Sequence, residues 1–162
     1  MANLYAFRSG QMKLVRYNVD ADTVIEKGDM LWFESSDELV APAADFPWDT
    51  NIATTQAGFA DVFAGIANEP SAAGESDPIS VDISPDSVYE MPCASAAYVP
   101  GATLGPDKAS GDALLSQTLE GAASASSVAR VVEQTSGAVT KVRVQFASAH
   151  SVSSNNANSA VG

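Results

Sequence analysis

Nucleophiles, general bases and metal ligands are few in this chain. One histidine, His150, and one cysteine, Cys93, occur in 162 residues. His150 stands in a polar stretch with no acid beside it, so no Ser-His-Asp or Cys-His relay is expected. No lysine or arginine lies near Cys93 in sequence to favour its thiolate, and it reads as a small buried hydrophobe. One Cys and one His cannot close a zinc site. Asp20-Ala21-Asp22 begins like a calcium loop but lacks the glycine and the closing glutamate, and reads as a solvated turn. Neither a phosphate-binding loop nor GxGxxG occurs. Carboxylates such as Glu90 could pair for glycoside hydrolysis, yet an acidic chain supplies such pairs without singling any out. What remains is noncovalent recognition: no catalytic residue, no cofactor and no metal are expected, and the chain is read as non-enzymatic.

The charge distribution narrows the partners. Formal net charge is −12, and every lysine and arginine lies outside the span from Gly28 to Asp107. That span holds 14 acids, so its field disfavours nucleic acid and anionic lipid. No run of 18 apolar residues is present, nor a basic-then-apolar leader, so neither a membrane span nor a secretory signal is expected. With 46% hydrophobic but only 7% aromatic residues, the core must be built largely from small side chains.

The elements that position these residues read as mainly β. Tyr89, Met91 and Cys93 share one face of an extended run and Val88, Glu90 and Pro92 the other, so the first set is the core face. Pro100-Gly101 reverses the chain in a type II turn, and Lys27-Gly28 does the same before the apolar run 30–33. Each corner is followed later by a strand ending in an acid, Phe63 to Glu69 after the first and Val128 to Glu133 after the second. Turn, strand and returning strand thus occur twice, which suggests a pseudo-repeat. Ile79, Val81 and Ile83 alternate with Ser80, Asp82 and Ser84 as in a half-buried strand. Residues 51–63 read as one short helix capped by Asp49 or Thr50. Residues 128–133 and 138–146 form a hairpin through Ser136-Gly137, with Val142, Val144 and Phe146 on its core face. Residues 105–127 give no clear pattern beyond Leu114, Leu115 and Leu119.

The expected architecture is mainly β, a small β-barrel or sandwich-like body with one short helix and extended termini. Residues 1–18 read as an N-terminal arm or first strand, 19–147 as the β-rich domain and 148–162 as a polar tail. That tail is too polar to fold alone and is expected to need a neighbouring chain.

Certain runs resemble the capsid cement, or head decoration, proteins of tailed bacteriophages. They are Glu26-Lys27-Gly28-Asp29-Met30-Leu31, residues 53–59 with Phe63-Ala64-Gly65-Ile66-Ala67, Val88-Tyr89-Glu90-Met91-Pro92, residues 99–105 and residues 128–133. The resemblance implies a decoration protein on the outer surface of an icosahedral capsid, a virion component made in the host cytoplasm. It further implies contact with the major capsid protein and with itself as a homotrimer, with no nucleic acid or membrane partner. Leu4, Tyr5, Phe7, Arg8, His150 and Val152, all in the terminal segments, are the expected capsid or neighbour contacts. The alternative is a phage or cell-surface receptor- or glycan-binding β module, using Trp32 or Trp48 as a stacking platform. A hydrolase using scattered carboxylates is a third reading.

Overall fold

The computed structural model describes residues 4–34 and 38–149. Eleven strands and one α-helix form within them. Two short strands come first, β1 (Ala6–Ser9) and β2 (Leu14–Tyr17). The Gly28 corner leads to β3 (Met30–Glu34) and β4 (Leu39–Pro42), then helix α1 (Ile52–Val62) runs straight into β5 (Phe63–Ala67) and on to β6 (Ile79–Asp82). The second half holds β7 (Val88–Ala96), β8 (Thr103–Lys108), β9 (Leu114–Gly121), β10 (Ala129–Val131) and β11 (Val139–Phe146).

The strands form two sheets with one topology. The first has the order β2-β6-β5-β3-β4, and the second β7-β11-β10-β8-β9 with β1 added beside β7. Each strand of the first order corresponds to the strand five places later in the second. Closure corresponds too: β9 meets β7 at Cys93 and Leu119 to shut the second sheet into a five-stranded barrel. In the first sheet a single bond from Val40 N–H to the Asn18 carbonyl draws β4 toward the chain just after β2. Closing a sheet removes edges that would otherwise offer unpaired backbone groups.

The repeat extends to individual hydrogen bonds at the two corners. Gly28 N–H donates to Ala67 O as Gly101 N–H donates to Val131 O, both at 2.8 Å. Asp29 O accepts from Ala67 N–H as Ala102 O accepts from Val131 N–H, both at 2.9 Å. Both corner glycines have positive φ, 98° and 87°, the conformation the turn requires. The expected sequence of corner, strand and returning strand is therefore present twice, with β3 antiparallel to β5 and β8 antiparallel to β10.

Two apolar clusters fill the sheets. Val19, Ile25, Leu31, Val40, Ile79 and Val81 pack in the first. The second and larger one contains Phe63, Tyr89, Met91, Val142, Val144 and Phe146 together, along with Phe59 from α1. Ring contacts run through it from Phe46 to Phe59, Phe63, Phe146 and Tyr89, with neighbouring centroids 5.5–6.0 Å apart. Tyr5 and Phe7 of the N-terminal segment extend this row past Tyr89, at 5.8 and 5.7 Å.

Three expectations change. Asn51, not Asp49 or Thr50, caps α1: its side chain accepts from Thr54 N–H, and Thr54 Oγ1 accepts from Asn51 N–H. Asp49 and Thr50 instead bond each other, which removes them from the cap. Residues 105–127, without clear pattern in sequence, complete β8 and supply β9, where the polar Gln117 is buried along with Leu114 and Leu119. Asp82, placed by alternation on the wet face of β6, is 3% exposed. It accepts from Lys13 N–H, Ser84 N–H and the Tyr89 hydroxyl, which replaces the hydration it loses.

A candidate interaction surface on the N-terminal strands

Among the described residues no group of three or more His, Cys, Asp or Glu side chains gathers as a metal site would require. Cys93 is buried, its Sγ 3.7 Å from the Val139 carbonyl, and burial pushes its thiol pKa up, the opposite of an activated nucleophile. Burial and the neighbouring Cys93 raise the Tyr98 phenol to about 12, and its hydroxyl donates to Ala94 O. Trp32 is committed to packing, its indole N–H donating to Pro42 O and its ring edge-on to Phe46. Trp48 packs against the core and carries Lys108 4.7 Å above its ring. Neither ring is set out as an open stacking platform.

The exposed apolar surface concentrates elsewhere. Among the described residues five large apolar side chains are exposed, and three of them, Leu4, Phe7 and Leu14, fall within eleven residues near the start of the chain. This segment holds two paired strands rather than a detached arm: β1 lies antiparallel on β7 and β2 antiparallel on β6, so it straps the two sheets together. Several contacts fix it. Tyr5 covers Gly28, where an added Cβ would lie 2.0 Å from the ring. Leu4 N–H donates to the side-chain oxygen of Gln117, whose NH2 group donates to Lys27 O and to the Asp29 carboxylate. Burial holds the Asp29 carboxyl above its ordinary pKa, against the lowering effect of those hydrogen bonds. Of the expected contact residues, the structure therefore brings Leu4, Tyr5, Phe7 and Arg8 together on one segment. His150 and Val152 lie outside the described residues.

Charge that is separated along the sequence is interleaved in space. Arg8 reaches Glu90 at 2.8 Å and Arg16 reaches Glu69 at 3.4 Å, while Arg143 joins Glu133 at 3.0 Å and Glu90 at 3.8 Å. The hydrogen bond from Arg8 holds the Glu90 carboxyl below the usual range. Glu69 is lowered chiefly by the Ser80 N–H that it accepts, with Arg16 adding to the effect. These pairs are exposed and each contributes little stability, but they neutralise the cations of the N-terminal strands. Arg8 and Arg16, which lie beside Phe7 and Leu14 in the chain, are therefore both ion-paired.

Comparison with family models and with curated proteins finds no match.

Proposed function

We propose that this protein decorates the outer surface of an icosahedral bacteriophage capsid, adhering to major capsid proteins as a homotrimer without catalysing a reaction. The observation that carries the reading is the exposed apolar segment of residues 4–14, fixed on a rigid scaffold and flanked by ion-paired arginines. A surface that must adhere needs desolvatable apolar anchors, and clustered anchors dominate interface energy. The rest of the body suits the same role, since a net charge of −12 keeps decorated particles apart. The resemblance of the Gly28 and Gly101 corners to head decoration proteins points the same way.

The experiment adds purified protein to undecorated heads and measures occupancy against concentration. Leu4→Ser and Phe7→Ser together remove the anchors and are expected to weaken binding at least about tenfold, equivalent to about 1.4 kcal/mol. Unchanged occupancy for a folded double variant contradicts the assigned face. The receptor- or glycan-binding alternative expects retention on a glycan array or host surface without head binding.

A further inference from the structure

The two halves of the chain finish the same corner differently. Ile25 and Ser71 exchange both backbone hydrogen bonds at 2.9 Å. Through the corner bonds that match Gly28 with Gly101 and Ala67 with Val131, Tyr98 and Thr135 occupy the equivalent positions. In the second half the hydroxyl completes the corner: Thr135 Oγ1 accepts from Tyr98 N–H at 2.8 Å and lies 3.2 Å from the Gly137 carbonyl, to which it can donate. In the first half it does not. Ser71 is 2% exposed, and its hydroxyl has no hydrogen-bond partner among the described residues. A buried hydroxyl left unpaired costs stability, so its place needs a reason. The loop beyond it differs as well. Residues 68–78 join β5 to β6, where the shorter run 132–138 joins β10 to β11. The added length folds into a turn in which Glu75 N–H donates to Ala72 O and the Glu75 carboxylate accepts from Ala72 N–H, while Gly74 N–H ties it to Ala21 O. Around that turn lie two adjoining clefts of about 550 and about 290 Å³, which share Pro70, Ser71 and Glu75.

We propose that this double cleft is a recognition site for a lysine or arginine side chain presented by a partner protein. Its larger part offers Val24, which is 52% exposed, together with Pro70 and Ala72, a surface suited to the methylene stem of such a side chain. Its smaller part is acidic. Glu75 and Asp77 line it, while the cation there, Arg16, is already held by Glu69 and the Pro78 carbonyl. With Glu26 and Lys27 of the larger part included, the charged groups around the clefts sum to −2, so a cationic guest is the complementary one. No trio of carboxylates among the described residues is disposed to hold a metal ion, which points to an organic cation instead. Ser71, common to both parts, supplies a hydroxyl that the fold itself does not use. The bonds of the 72–75 turn and the Ile25–Ser71 pair fix both walls, so binding orders little of the protein. The site lies outside residues 4–14, to which capsid adhesion is assigned, and the inference stands or falls independently of that reading.

The test uses the full chain in solution, isotope-labelled for amide NMR and without capsids, so that its failure is separable from failure to decorate. The probe is acetyl-Gly-Lys-Gly-amide, compared with the same tripeptide carrying arginine, norleucine or glutamate at its centre and with methyl glucoside. The lysine and arginine tripeptides are expected to shift the amide signals of residues 24–27 and 69–79 saturably, in the millimolar range, with the norleucine and glutamate forms at least about fivefold weaker. Glu75→Gln combined with Asp77→Asn should weaken the lysine tripeptide at least about fivefold while circular dichroism stays that of the parent. Ser71→Ala should also weaken it, yet raise Tm, because the unpaired buried hydroxyl is gone. Equal binding of the norleucine form overturns the proposal in favour of a merely apolar groove, and preference for methyl glucoside overturns it in favour of a sugar site. Shifts spread over acidic residues throughout the chain, no saturable shift at all, or binding that survives both sets of substitutions overturn it too, even if the same protein decorates heads.

Discussion

Replacing Tyr89 by Phe deletes one oxygen and leaves the ring row through the barrel in place. The Tyr89 hydroxyl donates to Asp82 Oδ2 at 2.6 Å, while Lys13 N–H and Ser84 N–H both donate to Oδ1. Burial, and then the adjoining Asp82 carboxylate, raises the Tyr89 phenol far above its ordinary pKa, so it stays the donor at any working pH. In Tyr89→Phe the 3%-exposed carboxylate keeps Oδ1 satisfied and loses the hydroxyl that donates to Oδ2. No cavity term arises, so the cost is that of a hydrogen bond to a charged group, about 1.5–3 kcal/mol. For a chain of this size that lowers Tm by roughly 3–12 °C. Asp82→Asn should cost less, because its amide oxygen can serve the two backbone donors and its NH2 can donate to the Tyr89 oxygen. Equilibrium urea unfolding of both variants, with unchanged m, measures the difference. Tyr89→Phe within about 0.5 kcal/mol of the parent, or less destabilising than Asp82→Asn, would refute the role assigned to this node.

Other perturbations give sharp expectations. Asn51→Ala removes the α1 cap and should cost about 1 kcal/mol in the same urea assay. Gly10→Ala and Gly101→Ala both place a side chain at positive φ, but only at position 10 would the Cβ meet a backbone oxygen, Asp86 O at 2.0 Å. Gly101→Ala should therefore cost about 1 kcal/mol and Gly10→Ala clearly more, read as the ordering of urea midpoints. Burial, then the neighbouring Asp107, raises the Glu120 pKa, so the folded state holds its proton to higher pH than the unfolded chain. The Glu120 contribution is therefore most favourable below the unfolded carboxyl range and declines as pH rises through the folded pKa. Glu120→Gln, which keeps an acceptor for Gln56 Nε2, should raise Tm at pH 7 and lose that advantage near pH 4. Glu90 has the opposite sign: Arg8 lowers its pKa, so Arg8→Ala should remove a small stabilisation present at neutral pH and already lost in acid.

The parts of the fold legible in sequence were those where one periodicity acted alone. Tyr89, Met91 and Cys93 face inward because β7 alternates cleanly, and both glycine corners are readable because a type II turn demands positive φ. β9 was not legible because Gln117 is drawn inward by Asp29 and the Lys27 carbonyl, which breaks the alternation. Asp82 was misplaced because its donors arrive from Lys13 and Tyr89, 69 and 7 residues away. The N-terminal residues expected to make contacts were picked out by type, but their setting depends on long-range pairing: β1 and β2 join different sheets through partners at 79–90. The same pairing brings Arg8 and Arg16 onto the mid-chain acids Glu90 and Glu69.

The most direct measurement of the central claim is electron microscopy of capsids with and without the added protein. The account expects three-lobed protrusions on the outer surface, with residues 4–14 turned toward the shell or the adjoining copy. Heads that gain no density at saturating protein, or that carry isolated single copies bound through the loop at 72–78, would contradict it.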